Sequence, residues 1–285
     1  MHRDGGIHVK VILESKVRSK PNLPIEAEAI IPRNFLKGTD LVVFEGNKER
    51  TLSELFWIFV EGTAVSPENI EVVLKGDTSR IKRVGEYMDT GSIMISGDIG
   101  MHCGNFMSGG TIEILGNADS WLGREMRGGT ILCRGNASHY CATGYRGEKK
   151  GMLGGKVEVL GNAGDFCAEY LAGGEVHIHG STGDFPGVEM RGGQLTIEGD
   201  ATRPCANMKE GSCMILGTVH DMLPTFEKID RRVLPEWKIT ADVYKGDVAN
   251  RGKGTLMIKN PVNHNPQKRR QRSGGVLRTY LRIIQ

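Results

Sequence analysis

The chain has 285 residues, 39% of them hydrophobic, and a formal net charge of +3 at pH 7, which is the composition of a folded globular protein rather than a disordered one. Its longest apolar run, LFWIFV, is much shorter than the roughly 20 residues that a transmembrane helix needs, and no signal-like apolar segment follows the N-terminal charges. We therefore expect a cytoplasmic protein that contacts no membrane.

The positive charge is concentrated in the basic tail, residues 261–285, which contains six Lys and Arg residues and no acid. The first 260 residues carry a net charge of −3, so the composition does not favour nucleic acid as a partner. We expect the tail to be either solvated or docked on an acidic partner.

Residues 1–69 differ in pattern from the rest of the chain and are predicted to form a small α+β cap. The segments VKVILE and LVVFEG predict strands, and PRNFLKG predicts a short helix with Pro32 in its first turn. TLSELFWIFVEG begins with a capping box of Thr51 and Glu54 and ends at Gly62. Because apolar residues cover both of its faces, we expect a helix buried on both sides that plugs an open end of the neighbouring domain.

Residues 70–224 repeat a unit close to G-x-x-M-x-G-G-x-I-x-I-x-G-N/D. A period near 19 residues, with short strands separated by glycine, predicts a mostly β protein: a parallel β-helix of about seven to eight coils. Alternation within each strand predicts that Ile112 and Ile114 face inward while Thr111 and Glu113 face outward. The glycines that mark successive units, at steps of 21, 19, 19, 26, 19, 19 and 18, are Gly76, Gly97, Gly116, Gly135, Gly161, Gly180, Gly199 and Gly217.

Stacking of the coils would align equivalent residues in columns. Polar residues that follow the marker glycines, such as Asn117 and Asn136, are expected to be turn residues that tolerate unusual backbone angles rather than catalytic acids. An apolar column before the strands is expected to fill the core rather than to hold a ligand through sulfur. This methionine column is Met88, Met107, Met126, Met152, Leu171, Met190 and Met208.

The six cysteines show no CxxC spacing and occupy positions that apolar residues hold in other coils. We predict that they are small buried side chains. Cys141 and Cys167 would stack as a candidate redox pair, but Leu122 and Pro186 in the same column indicate that sulfur is not required there.

One residue before the cysteine column, an aromatic row is predicted to face outward. Such an apolar patch is rarely left wet, and we expect either a terminal segment of this chain or a partner subunit to cover it. Few cations flank the row, which disfavours stacking with single-stranded nucleic acid. The residues of this row are His102, Trp121, Tyr140, Phe166 and Phe185, followed by Pro204.

The long interval between Gly135 and Gly161 contains seven extra residues around TGYRGEKKG, which predict a surface loop. The loop is either solvated or in contact with a neighbouring protein. Its candidate interface residues are Tyr145, Arg146, Lys149 and Lys150.

His177 and His179 form an HxH pair on the outward side of one strand and are weak candidates for a metal site. Glu158 and Thr196 fill the positions beside His177, and no third ligand is evident, so solvent-facing histidines are expected. No nucleophile paired with a base and no cofactor-binding loop is found, so we predict no catalytic residue, cofactor or metal in this chain. Residues 225–260 are expected to form a closing strand pair.

Four segments, GNFMSGGTIEILGNADSWLG, GREMRGG, YRGEKKGMLGG and KGDVANRGKGTLMI, resemble the C subunit of formylmethanofuran dehydrogenase. The repeat also resembles the GXGXG domain at the C-terminal end of the glutamate synthase large chain. The resemblance is strong over residues 70–258, is looser over the N-terminal part, and does not extend to the tail from Pro261 onward.

The resemblance implies a right-handed β-helix that serves as the scaffold of a methanogenesis complex. That complex reduces carbon dioxide to formate at a molybdenum or tungsten pterin and condenses it with methanofuran at a zinc site. In this family the pterin, the iron-sulfur clusters and the zinc belong to other subunits, so amidohydrolase-like, pterin-binding and iron-sulfur subunits are the expected partners. Two alternatives remain: the C subunit of the formyltransferase/hydrolase complex of methylotrophs, and an independent β-helix enzyme with zinc on His177 and His179.

Overall fold

The computed structural model describes residues 9–16, 23–63, 66–145 and 147–260, and most of its regular structure is β. The strands are β1 Val9–Ser15, β2 Ile25–Glu26, β3 Val42–Glu45, β4 Lys48–Thr51, β5 Phe56–Glu61, β6 Ile70–Lys75, β7 Ile81–Lys82, β8 Ser92–Ile95, β9 Ser108–Ile114, β10 Gly128–Cys133, β11 Lys156–Val159, β12 Glu175–Ile178, β13 Arg191–Ile197, β14 Ala201–Thr202, β15 Glu210–His220, β16 Glu227–Leu234, β17 Ile239–Gly246 and β18 Gly254–Asn260. The helices are the α-helix α1 Leu52–Leu55 and the 3-10 helices Pro32–Leu36, Pro67–Asn69, Pro235–Trp237 and Val248–Asn250. None of the helices in these ranges is long and apolar enough to span a bilayer.

A large mixed sheet contains most of the strands, in the order β16-β17-β18-β15-β13-β12-β11-β10-β9-β8-β6-β1-β5. Neighbours are parallel from β18 through to β1, and antiparallel pairs lie at both ends: β5 with β1 at one end, and β16 with β17 and β17 with β18 at the other. A smaller sheet has the order β4-β3-β2-β7. The repeat therefore contributes one strand after another to the same sheet.

The parallel strands pair in the register of the repeat. Ile131 lies opposite Ile112 on one side and opposite Val157 on the other, and all three side chains are buried while Thr111 and Glu113 face outward. The predicted alternation is confirmed. A second line of parallel bridges joins successive repeats, with Ala118 paired with Ala137, so each repeat is fastened to the next at two places.

The polar residues after the marker glycines connect neighbouring repeats. The main-chain N–H of Asn136 donates to the side-chain oxygen of Asn117 over 2.9 Å, and the N–H of Asn162 donates to that of Asn136 over 2.8 Å. All three residues lie outside the left-handed region, so their tolerance of unusual backbone angles, on which the prediction of turn residues was based, is not needed here. The asparagines are used instead because a side-chain carbonyl can accept the N–H of the next repeat.

The methionine column forms the centre of the core. Its seven side chains are fully buried, so the predicted inward placement is confirmed. Glycine keeps the backbone of adjacent repeats close together beside this column: Gly129 has a φ of +80°, and a Cβ there would approach the carbonyl oxygen of Gly110 to 2.8 Å. A larger residue would combine backbone strain with a clash.

The N-terminal strands and the short Pro32–Leu36 helix form as predicted, but the predicted long helix over residues 51–62 is wrong. Only α1 is helical, started by a hydrogen bond from the Thr51 N–H to the Glu54 carboxylate, and the chain continues as β5. Trp57 and Phe59 are 59% and 51% exposed, so this segment is not a doubly buried plug. Pairing with the edge of β1 prevails because aromatic and β-branched residues also suit a strand.

The C-terminal part of the described chain contains three strands, one more than the predicted pair. Strands β16 and β17 are antiparallel, and β18 runs antiparallel to β17 but parallel to β15. The basic tail, residues 261–285, lies outside the described residues. The boundaries at residues 69 and 224 stay predictions; β1, which precedes the first boundary, belongs to the large sheet.

Candidate functional site

The predicted aromatic row forms a continuous stack on the outer side of the repeats. Successive ring centroids lie 5.1, 5.2, 5.3 and 5.7 Å apart, and neighbouring planes are within 16° of parallel. These distances are close to the roughly 4.8 Å spacing of adjacent strands, because each ring comes from the next repeat. This ring stack, with every member half-buried, is His102, Trp121, Tyr140, Phe166 and Phe185.

The five residues of the ring stack have a strained backbone conformation. All five residues have φ between +58° and +69°, which is a costly region for residues with bulky side chains. Hydrogen bonds between repeats hold the conformation: the N–H of His102 donates to the carbonyl of Ser120, and the N–H of Trp121 donates to that of His139, each over 3.0 Å. Each bond ends on the residue just before the next ring, so the strain recurs with the repeat.

The end of the stack differs from the sequence prediction. Arg203, not Pro204, occupies the position after Phe185, and its guanidinium lies 5.3 Å from the Phe185 ring centroid. The placement of Pro204 in this row is wrong because the last interval between marker glycines is 18 rather than 19 residues, so a count from Gly199 overshoots by one. The cation contacts the aromatic face as in other cation–π pairs.

His102 forms the other end of the stack beside several basic residues. Burial, followed by the charges of Arg124, Arg83 and Lys82, lowers the pKa of His102 to about 4. Its Nδ1 lies 3.1 Å from the side-chain amide of Asn105. His102 is therefore neutral at pH 7 and stacks on Trp121 as an uncharged ring.

The inserted loop forms one side of a groove over the ring stack. The groove has a volume of about 280 Å³ and is lined by Trp121, Tyr140 and Phe166 from the stack, by Tyr145 from the loop and by Tyr170. Gly144, Gly147 and Glu169 complete the lining. The loop thus covers part of the ring stack. A terminal segment or a partner subunit was predicted to cover this surface.

Contacts with two charged side chains, Arg124 and Glu125, hold Tyr145 of this loop in place. The guanidinium of Arg124, a residue only 8% exposed, lies 4.6 Å from the Phe106 ring centroid and 4.9 Å from that of Tyr145. The Tyr145 N–H donates to a carboxylate oxygen of Glu125 over 3.2 Å. Both contacts draw the start of the loop toward the ring stack.

Two of the other predicted loop residues do not line this groove. Lys149 and Lys150 are exposed and do not line it, and Arg146 lies outside the described residues. The structure therefore brings together the five rings and Tyr145, and an interface role for any of these residues stays a prediction.

The cysteines are free and buried, as predicted. Burial raises the pKa of Cys133 to about 12 and that of Cys103 still further. For Cys141, the contact with Cys167 and burial both raise the pKa of its thiol. Thiols with raised pKa values are poor nucleophiles, which agrees with the prediction of small buried side chains at these positions.

A histidine–carboxylate cluster lies on the outer face of β11, β12 and the end of β13. His177 and His179 stack with ring centroids 4.2 Å apart, and one ligand atom each from Glu158, His177 and His179 all lie within 4.8 Å of one another. The expectation that no third ligand lies nearby is therefore wrong. The parallel register places Glu158 beside His177, and this register was the signal in the sequence that could have found the cluster.

No family model matches the chain, but individual proteins do. Over 93 residues it is 39% identical to the C subunit of the molybdenum-containing formylmethanofuran dehydrogenase 1 of Methanothermobacter wolfeii, a match that covers 30% of this chain and 22% of that protein. Over 100 residues it is 36% identical to the C subunit of the tungsten-containing formylmethanofuran dehydrogenase 2 of the same organism, with coverage of 33% and 36%. Over about a third of its length, the chain is therefore similar in sequence to the C subunits of both kinds of formylmethanofuran dehydrogenase. The resemblance seen in the sequence is confirmed.

Among solved structures, the chain is similar to one chain of the formyltransferase/hydrolase complex from Methylorubrum extorquens, determined with methylofuran. The TM-score is 0.77 at 25% identity, and the match covers 88% of this chain and 100% of that chain. The curated dehydrogenase relatives match over a smaller part, since 22% and 36% of their own lengths are spanned in the two cases above.

Proposed function

We propose that this chain is the scaffold subunit of a formylmethanofuran dehydrogenase complex, equivalent to the C subunit of that enzyme. The homology to the C subunits of both the molybdenum and the tungsten enzymes supports this assignment. In the proposed complex, carbon dioxide is reduced to formate and joined to methanofuran, and this chain holds the catalytic subunits at fixed relative positions. Its contribution to the reaction is positional rather than chemical.

The architecture proposed for this role is a right-handed parallel β-helix of GXGXG repeats. Three kinds of contact between successive repeats support it: the in-register strand pairs, the alanine bridges and the asparagine hydrogen bonds. A rod in which each repeat is fastened to its neighbours resists bending and shear. Such a rod suits a subunit that sets distances between other subunits.

The ring stack is the single observation that carries the scaffold proposal. It is an ordered, half-buried aromatic surface to which five successive repeats each contribute one ring. Aromatic residues are also the commonest anchors of protein interfaces. We infer that a partner subunit docks over the stack and the groove beside Tyr145.

The proposal assigns the redox and hydrolytic chemistry to other subunits. The pterin-bound molybdenum or tungsten, the iron-sulfur clusters and the zinc would be held by the pterin-binding, iron-sulfur and amidohydrolase-like partners. The burial of the six free cysteines, together with the raised pKa values of Cys103 and Cys133, supports this division, since buried thiols with raised pKa values are less suited to hold a cluster.

A pull-down from cells that co-express the complex tests this role. The Trp121→Asp variant should lose at least one partner subunit while its circular dichroism spectrum and melting cooperativity stay those of the parent, because a charge in the docking surface is costly. The matched control is Leu115→Asp, which places the same charge at an exposed apolar position just after β9. Full retention of partners by Trp121→Asp, or equal loss in both variants, would overturn docking on the ring stack.

A second candidate function is the C subunit of a formyltransferase/hydrolase complex, with the same scaffold role and no redox reaction. The fold match to that complex covers all of the compared chain and favours this candidate. Metal analysis of the native complex, purified through this chain, separates the two. Stoichiometric molybdenum or tungsten supports the dehydrogenase, and their absence together with formyl transfer activity supports the second candidate.

A further inference from the structure

Side chains of the histidine–carboxylate cluster are drawn from three successive repeats. His177 and His179 project from β12 and the residue just beyond it, Glu158 comes from β11, and Glu198 follows β13. All four side chains are only partly exposed, between 22% and 32%. Within the parts of the chain that the structure describes, Glu158, His177 and His179 are the one group of three close metal-ligating side chains.

We propose that this cluster binds one divalent transition-metal ion, with Zn²⁺ the best fit. Two imidazoles and one carboxylate form a common ligand set for Zn²⁺. In a tetrahedral site with bonds of about 2.0–2.1 Å, ligand atoms lie about 3.3 Å apart. The ligand atoms of Glu158, His177 and His179 already lie within 4.8 Å of one another, so small side-chain rotations bring them to this spacing.

Glu198 supplies a second feature of an established metal site. The Nε2 atom of His179 lies 2.9 Å from Glu158 Oε1, while Nδ1 of the same ring lies 2.9 Å from Glu198 Oε1. If Nδ1 donates its proton to Glu198, Nε2 presents its lone pair toward Glu158 and the ion. A carboxylate that orients a ligating histidine in this way is typical of zinc sites.

One nearby group opposes the ion and provides a test. The Nζ atom of Lys156 lies 2.7 Å from Glu158 Oε2, so its ammonium group would compete with a bound cation for this carboxylate. Removal of this ammonium should strengthen metal binding.

Trp237 provides a local optical reporter. It lies in the 3-10 helix between β16 and β17, and its ring stands edge-on to His177 with centroids 6.1 Å apart. This inference is independent of the proposed scaffold role, because it concerns a different face of the chain and requires no partner.

The test is a Zn²⁺ titration of the untagged full chain after treatment with chelator, followed by calorimetry. We expect one ion per chain, and His179→Ala should weaken binding at least about 100-fold, whereas Glu198→Gln should weaken it about 10- to 100-fold. Lys156→Gln should bind more tightly than the parent. Titration with Co²⁺ should quench a part of the tryptophan fluorescence that is missing in Trp237→Phe.

The matched control is His220→Ala, which removes an exposed histidine beside Asp200, away from the cluster. Its affinity and stoichiometry should equal those of the parent. Equal Zn²⁺ binding by the parent and His179→Ala, equal weakening by His220→Ala, or the absence of Zn²⁺ binding by a correctly folded parent would each overturn the proposal.

Discussion

The methionine column and the ring stack are built by the same repeat but end in opposite environments. Each receives one residue per repeat, yet the methionine column is fully buried while the rings are half-buried and carry positive φ angles. The methionine column contains Leu171 in place of a methionine, and the ring stack contains several kinds of aromatic ring. The methionine column therefore requires apolar volume, whereas the ring stack requires flat rings at a fixed spacing.

The largest effect is expected when a charged side chain is placed in the methionine column. Met126→Lys should lower the free energy of unfolding by about 4 kcal/mol, because it removes apolar burial and leaves an unpaired ammonium in the core. Met126→Leu, which copies Leu171, should cost less than about 1.5 kcal/mol. Denaturant unfolding measures both values, and an unchanged midpoint for Met126→Lys would contradict the inward placement.

A smaller effect is expected where the backbones of neighbouring repeats meet beside the inner column. Gly129→Ala should destabilise the protein by about 2 kcal/mol, since an alanine at a φ of +80° is strained and its Cβ meets the Gly110 carbonyl. Gly147→Ala is the matched control, because it also has positive φ but has no atom within 4 Å of the added Cβ. Its loss should be only the strain, about 1 kcal/mol. Equal losses would show that close packing of the repeats is not required at Gly129.

The smallest expected effect is a change in stability with pH that comes from His102 in the ring stack. The pKa of His102 is about 4 in the folded chain, below its ordinary value of 6.5, so the unfolded chain binds a proton first as the pH falls. The free energy of unfolding should therefore decrease from pH 6.5 to pH 4, by on the order of 1 kcal/mol. His102→Phe keeps a ring in the stack and should remove this part of the slope. Identical slopes in the parent and the variant would argue against a neutral, desolvated His102.

The repeat region was predictable because its period assigns each residue to a column without knowledge of distant contacts. The inner methionines, the buried cysteines and the ring stack follow from that assignment. Arg203 was missed because one shorter interval shifts the column by a residue. A sequence count detects the interval but not where within it the residue is missing.

Outside the columns, tertiary contacts decided the structure. The capping box of Thr51 and Glu54 starts the short helix α1, and the apolar residues after Leu55 also suit a helix, but that segment pairs with β1 as an edge strand instead. The cluster around His177 and His179 was missed for a related reason. The register places Glu158 beside His177, but Glu158 contacts His179 in the next row, and such a diagonal contact depends on side-chain directions as well as on register.

The central claim is that like residues of successive repeats lie directly beside one another. Thr130 pairs with Thr111 on one side and with Lys156 on the other, so Thr111 and Lys156 lie about two strand spacings, or about 10 Å, apart. Paired cysteines at positions 111 and 130 should form a disulfide, because adjacent strands fall within the reach of that bond, whereas cysteines at positions 111 and 156 should not. Peptide mass mapping without reductant measures both. A cross-link in the 111/156 variant, or none in the 111/130 variant, would contradict the stacked repeats on which the account rests.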